Sequence, residues 1–223
     1  FAGLLRETAK VDGIEKIGFT TSHPQDASEE LFCAIRDVPK ISRRFHLPLQ
    51  SGADRVLSRM KRDHTLAEYR TKIDRMRELI PDVAVTTDII VGFPGETEED
   101  YECTKRALRD IDFDGAFIFK YSRRPHTAAA RWEDATALAE KNRRNRELLD
   151  LQKEITRRRN EAFLGETVRV LVEDRSKKDP QEMLARTWQE KKVVFQGSSS
   201  QTGSCVSVRL LSVADETFRA VPA

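Results

Sequence analysis

Thr86-Thr87-Asp88-Ile89-Ile90-Val91-Gly92-Phe93-Pro94-Gly95-Glu96 is an apolar run that stops at two glycines flanking Phe93-Pro94, then an acid. Such a run reads as a strand buried on both faces, as in a parallel sheet covered by helices. Glycine at the end of a strand lets backbone approach a ligand closely, and parallel sheets bind ligands at their carboxyl ends. Leu47-Pro48-Leu49-Gln50-Ser51-Gly52 has the same strand-then-glycine form. The two segments predict a ligand site at one rim of an α/β barrel or sheet.

Working outward, short apolar runs alternate with amphipathic helices from residue 1 to about 122. Strands are expected over Ile14 to Thr20, Phe45 to Leu49, Val83 to Phe93 and Gly115 to Tyr121. Capping-box patterns at Asp26–Glu29 and Thr65–Glu68 each predict a helix start, and Thr97-Glu98-Glu99-Asp100 predicts another, with acids in its first turn. A shorter helix is expected near Ala53 to Met60. Leu66, Tyr69, Ile73, Met76, Leu79 and Ile80 form a helical stripe that Pro81 stops. This alternation argues for parallel strands with right-handed crossovers. Four such units do not close a barrel, so the sheet is open or strands precede Phe1. Phe1-Ala2-Gly3-Leu4-Leu5 reads as the inside of a helix with no initiating Met, which suggests a fragment.

Asp134 to Ala162 reads as one long basic helix with a narrow stripe of Leu148, Leu151 and Ile155. Gly165 marks a boundary, giving domains of 1–163 and 164–223. Beyond it the period changes to alternation, with Val168, Val170 and Val172 on one face. Further strands are expected over Lys192 to Phe195, Cys205 to Leu211 and Thr217 to Val221. Short strands between Gly, Ser and Lys loops predict a small antiparallel β-barrel.

Charged residues make up 34% of the 223 residues, but the net charge is only +2, so bulk charge selects no partner class. The three cysteines, Cys33, Cys103 and Cys205, are widely spaced and form no Cys-x-x-Cys pair. No metal site is expected from them, and a reducing, cytoplasmic setting fits. The sequence shows no signal peptide and no membrane span.

These segments, with Thr20-Thr21-Ser22-His23-Pro24 and Ser176-Lys177-Lys178-Asp179-Pro180, resemble the MiaB-type tRNA methylthiotransferases in order and spacing over nearly the whole chain. The resemblance implies a partial radical S-adenosylmethionine (β/α) barrel followed by a TRAM domain that binds RNA. It implies insertion of a methylthio group at carbon 2 of an isopentenylated adenosine beside the anticodon. One S-adenosylmethionine donates methyl, and another is cleaved reductively to a radical. Two 4Fe-4S clusters and an electron donor belong to the full-length family. The cluster domain and the Cys-x-x-x-Cys-x-x-Cys motif have no counterpart here, so this chain alone is expected to lack iron and activity. A ribosomal-protein methylthiotransferase and a non-catalytic RNA-binding module remain alternatives. The expected partner is a tRNA anticodon stem-loop, bound by a monomer without a membrane.

Candidate cofactor residues lie at strand ends. Gln50 and Ser51 offer an amide and a hydroxyl to ribose or the methionyl group, with a plain turn as the alternative. Asp88 sits within an apolar strand and needs a partner, either a ligand or a salt bridge inside the barrel. Gly92, Phe93, Gly95 and Glu96 would carry backbone under the adenine. Arg62 could pair with a carboxylate or be a solvated surface residue. Tyr121, Ser122 and Arg124 end the last strand. There the family continues with Gly-Thr-x-Ala, but this chain has His126-Thr127-Ala128, leaving the turn at His126 open. His23, His46 and His64 read as structural or strand-end groups. Arg157, Arg158 and Arg159 are candidates for phosphate contact. Arg124 and the β-domain group Arg175, Lys177, Lys178, Arg186, Lys191 and Lys192, on expected loops beside Trp188, are candidates for RNA binding. No catalytic residue is assigned.

Overall fold

The computed structural model describes residues 1–20, 23–214 and 216–223, so Thr21 and Ser22 of the Thr20–Pro24 element lie outside the described residues. The first part is a three-stranded parallel sheet in the order β1-β2-β3, formed by Arg44–His46 (β1), Ala84–Val91 (β2) and Gly115–Lys120 (β3). Along β2, Val85, Thr87, Ile89 and Val91 are buried against helices, while Thr86, Asp88 and Ile90 face the more open side. That two-residue period is why a nearly continuous apolar run still presents two different faces.

Helices Ala2–Ala9 (α1), Glu29–Asp37 (α2), Asp54–Arg59 (α3), Leu66–Leu79 (α4) and Glu98–Ile111 (α5) accompany the sheet. The capping boxes at Thr65 and Thr97 are both formed, each satisfying two amide groups at its helix start. At the third site Ser28 is the cap, and Asp26 belongs to the preceding 3-10 turn. Tyr69, Ile73 and Met76 of the α4 stripe are buried in the main core with Phe45, Leu47 and Leu49.

The strand expected over Ile14 to Thr20 is not formed. A single parallel bridge joins Ile17 to Ile41, fixed by Ile17 N–H to the Lys40 carbonyl at 2.8 Å and Ser42 N–H to the Ile17 carbonyl at 2.8 Å. Gly13 and Gly18 flank this bridge and do not favour extension of the ladder.

Helix Leu138–Glu161 (α6) starts four residues later than expected and leads to the second part. Its 24 residues reach about 36 Å at 1.5 Å per residue. It lies along β3, with Asn145 Nδ2 donating to the Ile118 carbonyl at 2.9 Å and Gln152 Nε2 to that of Phe113 at 3.0 Å. Gly165, at φ +88°, turns the chain into the second part and donates to the Leu210 carbonyl at 2.8 Å.

The second part is a closed five-stranded barrel of Thr167–Arg175 (β4), Glu182–Thr187 (β5), Lys192–Gln196 (β6), Cys205–Ala214 (β7) and Thr217–Pro222 (β8), in the order β4-β5-β6-β8-β7. It departs from a purely antiparallel barrel because β6 and β8 pair in parallel. With five strands in a ring, strict alternation of direction cannot close. Strand β5 was not anticipated. Met183 and Ala185 fill the barrel core from it, but neither is β-branched, and its charged ends hide the alternation.

Candidate functional site at the strand ends

At the carboxyl ends of β1 and β2, the backbone of Gln50 bridges the ends of the sheet. Its N–H donates to the Asp88 carbonyl at 2.8 Å, and its carbonyl accepts from Ile90 N–H at 2.9 Å. Gln50 has φ +72°, a left-handed conformation that a non-glycine residue adopts only when its surroundings hold it there. Asp88, on the open face of β2, lies 3.4 Å from His46 Nε2, whose Nδ1 is 3.0 Å from Thr86 Oγ1. Half-buried Arg62 feels the Asp88 charge, which opposes the downward pull of burial on its guanidinium. A carboxylate and a guanidinium thus influence each other at the strand end that the Gln50 backbone closes.

Ser51 is elsewhere engaged. Fully buried, its hydroxyl is 3.3 Å from Thr104 Oγ1 and accepts from Ala53 N–H at 3.2 Å. Gly52 explains the need for glycine: a Cβ there would stand 2.6 Å from the Cys103 carbonyl oxygen of α5. The Ser51-Gly52 pair therefore seats the chain beyond β1 against α5, and the missing side chain of Gly52 serves packing rather than an open approach.

The same holds for the loop after β2. Gly92 has φ +68°, but its open side is covered by the Lys141 stem, with Cγ only 2.5 Å from a would-be Cβ. Gly95 is covered in the same way by the Arg59 guanidinium. Phe93 is buried in a small aromatic cluster, 5.3 Å from the Tyr121 ring and 5.9 Å from that of Trp132. Glu96 does not face the Gln50–Asp88–Arg62 group. Its buried carboxylate accepts from Gly92 N–H at 2.6 Å and pairs with Arg144 of α6 at 2.7 Å. Burial pushes the Glu96 carboxyl up, while the Gly92 amide and the Arg144 guanidinium oppose that shift. The Tyr121 hydroxyl is buried with no partner, and Ser122 and Arg124 are exposed. His126 takes φ +68°, where the resembling family's pattern has glycine.

Several loop-holding residues were not anticipated. Arg55 Nη2 donates to the Gly95 carbonyl at 2.7 Å, and Arg59 Nε to that of Pro94 at 3.2 Å. Arg144, Lys141 and Thr104 complete the frame. Their partners lie 35 to 52 residues away in sequence, so no local motif announces them.

The expected RNA-binding residues do not form one patch. Arg186, Trp188 and Lys191 lie where the barrel meets the sheet, not on an open loop patch. Trp188 is 9% exposed, its indole N–H donates to the Pro39 carbonyl at 2.6 Å, and its own carbonyl accepts from Arg43 N–H at 2.7 Å. Lys191 pairs with Asp114 at 3.1 Å and Asn160 Oδ1 at 2.7 Å. Burial lowers the Lys191 ammonium, and Asp114 works against that. Arg186, on β5, pairs with Glu173 at 3.1 Å. Arg159 pairs with Asp114 and Asp112, Arg158 with Asp112, and Arg157 with Glu161. Arg175, Lys177 and Lys178 lie at the other end of the barrel, exposed beside the β6–β7 loop, where Arg175 Nη2 reaches Ser199 Oγ at 2.9 Å. Lys192, the first residue of β6, is exposed and lines a cleft of about 1120 Å³ between α6, the sheet and the barrel.

The donor set does not fit a 4Fe-4S cluster. Among the described residues no group of three or more His, Cys, Asp or Glu could hold a metal, and the three cysteines are each free. An S-adenosylmethionine methionyl group does match the chemistry at the strand end: Asp88 for an ammonium, Arg62 for a carboxylate and Gln50 for either. Among the described residues no helix is long and apolar enough to cross a membrane.

A parallel βα sheet carrying its polar cluster at the carboxyl ends, joined through one helix to a closed five-stranded barrel, defines a two-part α/β protein. Residues 1–108 match the radical SAM superfamily and residues 161–222 the TRAM domain, so the chain carries a radical SAM domain and a TRAM domain. It is 45% identical over 96% of its length to the tRNA-2-methylthio-N(6)-dimethylallyladenosine synthase of Acetivibrio thermocellus, covering 44% of that protein. Proteins of the same name from Clostridium novyi and Neisseria meningitidis serogroup C are 42% and 43% identical, each over 94% of the chain and covering 46% and 48% of those proteins. The chain thus spans somewhat less than half the length of these relatives. Its fold is similar to coproporphyrinogen III oxidase (HemN) of Escherichia coli, described as a radical SAM enzyme, with a TM-score of 0.55 at 20% identity over 69% of this chain and 36% of that one.

Proposed function

We propose that the chain supplies the later strands of the barrel and the RNA-binding domain of a tRNA methylthiotransferase. The substrate would be an adenosine bearing an N6-dimethylallyl group. The observation that carries this reading is the sequence likeness to synthases of that name, which runs through both domains. Bound at the strand ends, S-adenosylmethionine would supply the methyl and radical chemistry. Asp88 would bind its ammonium and Arg62 its carboxylate, with Gln50 beside them. Phe93 and Tyr121 would wall the site and exclude water from it. Arg175, Lys177 and Lys178 would hold phosphates of the anticodon stem-loop, with Lys192 reaching RNA at the cleft.

The chain alone is expected to be iron-free and inactive, and iron analysis with an absorbance spectrum would check that. The function is tested by fluorescence anisotropy with two labelled probes. One is an anticodon stem-loop carrying N6-dimethylallyladenosine; the other is a ribosomal-protein peptide. Salt-sensitive binding to the RNA and none to the peptide is expected. Binding to the peptide alone would shift the reading to a protein-modifying relative.

A further inference from the structure

One turn of α6 reaches across to the loop that ends β2. Lys141 and Arg144, three residues apart, share one face of the helix and are both buried. The Lys141 stem covers Gly92, and its Nζ pairs with Asp134 at 2.6 Å and sits 5.3 Å from the centre of the Tyr121 ring. The Arg144 guanidinium is a three-way fork. It meets Glu96 Oε2 at 2.7 Å, Glu98 Oε2 at 3.0 Å and Glu140 Oε1 at 2.8 Å. The Glu96 oxygen it meets is the one that accepts from Gly92 N–H, so the first and last residues of the loop are tied to each other and to α6. Glu96 Oε1 has no partner, which leaves Arg144 as the cation that neutralises this buried carboxylate.

We propose that Arg144 is a positioning residue for the cofactor loop Gly92–Glu96. It acts through Glu96, does not touch the ligand, and fixes the path of the backbone that leaves β2. This rests on the cofactor reading above, because a loop shape matters to affinity only if a ligand lies against it. Arg144 belongs to the helix whose far end is fixed to the barrel through Asn160 and Lys191. One rod therefore sets both the cofactor loop and the RNA-binding domain.

The test compares Arg144→Gln, Arg144→Lys and, as an exposed control on the same helix, Arg146→Gln in the full 223-residue chain. Hydrogen exchange over residues 92–97 and calorimetric binding of S-adenosylmethionine are read together. Arg144→Gln is expected to speed exchange of the Gly92 amide at least ~10-fold while the β4–β8 barrel stays protected, and to weaken binding by about the same factor. Arg144→Lys, which keeps the charge, should recover part of both, and Arg146→Gln should change neither. Should Arg144→Gln fail to fold, Glu96→Gln removes the same charge pair without leaving an unpaired carboxylate, and the same local signature is expected. Unchanged exchange at residues 92–97 in either folded variant would overturn the proposal. Loop loosening in Arg144→Gln together with no binding by the unaltered chain would leave the brace standing and remove the cofactor reading.

Discussion

The two ends of the parallel sheet are closed by similar chemistry put to different uses. At the carboxyl ends, Arg144 of α6 neutralises the buried carboxylate of Glu96 and shapes a loop. At the amino ends, Arg159 of α6 and Lys191 share the buried carboxylate of Asp114, which also accepts from Val85 N–H at 2.9 Å. The first arrangement stands beside an open polar cluster; the second joins two domains around Trp188. A buried ion pair therefore does not mark function by itself. What differs is what the pair holds: the loop after β2 in one case, a seam between two domains in the other.

The largest effect is expected where the amino-end seam is broken. Trp188→Ala removes the indole that bonds to Pro39 and is flanked by Lys16 and Arg169, whose cations lie 5.7 Å and 4.9 Å from the ring. Large-to-small aromatic substitutions at buried sites cost about 3–5 kcal/mol. Calorimetry should show the barrel melting apart from the sheet, as two transitions. A single unshifted transition would mean the seam contributes little and the two ends differ less than described.

At the carboxyl end, Gly52→Ala places a methyl group against backbone of α5, at 2.6 Å from the Cys103 oxygen and the Thr104 Cα. Neither atom can rotate away, so overpacking of about 1–3 kcal/mol is expected in chemical denaturation. Stability within a few tenths of the unaltered protein would show that α5 shifts freely and that the loop frame is soft.

Much of the carboxyl end was legible in sequence because its information is local. The β2 run, the glycines after it and the capping boxes at Thr65 and Thr97 are contiguous patterns whose physics acts within a few residues. The frame around them was not legible. Arg144 meets Glu96 across 48 positions and Trp188 meets Pro39 across 149. Charge clusters in sequence also say nothing about availability. Arg186, Lys191 and Lys192 read alike, yet Lys191 is closed into the seam and Lys192 is exposed. Strand β5 was hidden because Met and Ala carry its core face, and Ile14 to Thr20 promised a strand that has only one bridging partner.

A smaller effect sharpens the carboxyl end through its pH dependence. Both ring nitrogens of His64 are buried without partners, beside Tyr69 at 5.9 Å between ring centres. Burial, aided by His23, holds the imidazole below its ordinary value of 6.5. The folded state thus favours the neutral ring. The stability this gives is whole above about pH 6.5 and is lost as pH falls through the lowered folded value. His64→Phe should raise stability by about 1 kcal/mol, since it removes unsatisfied polar groups, and should flatten the fall in melting temperature below pH 6.5. An equally steep fall in the variant would assign the acid sensitivity to other groups.

The smallest effect on stability, and the sharpest on function, lies at the far end of the β-barrel. Lys177 and Lys178 are exposed on the β4–β5 loop, away from the seam that holds Lys191. Replacing both with alanine removes no buried contact, so the melting temperature should not move. If they hold phosphates, each contributes counterion release, and the slope of log affinity against log salt for an anticodon stem-loop should become shallower by roughly 1.4–1.8. A matching change at Arg158 should be weaker for RNA and stronger for stability, because its guanidinium is already paired with Asp112. The reverse ranking would mean that α6 rather than the distal loop tracks the RNA. The division between cations that hold the fold and cations left for a ligand would then have to be redrawn along the helix.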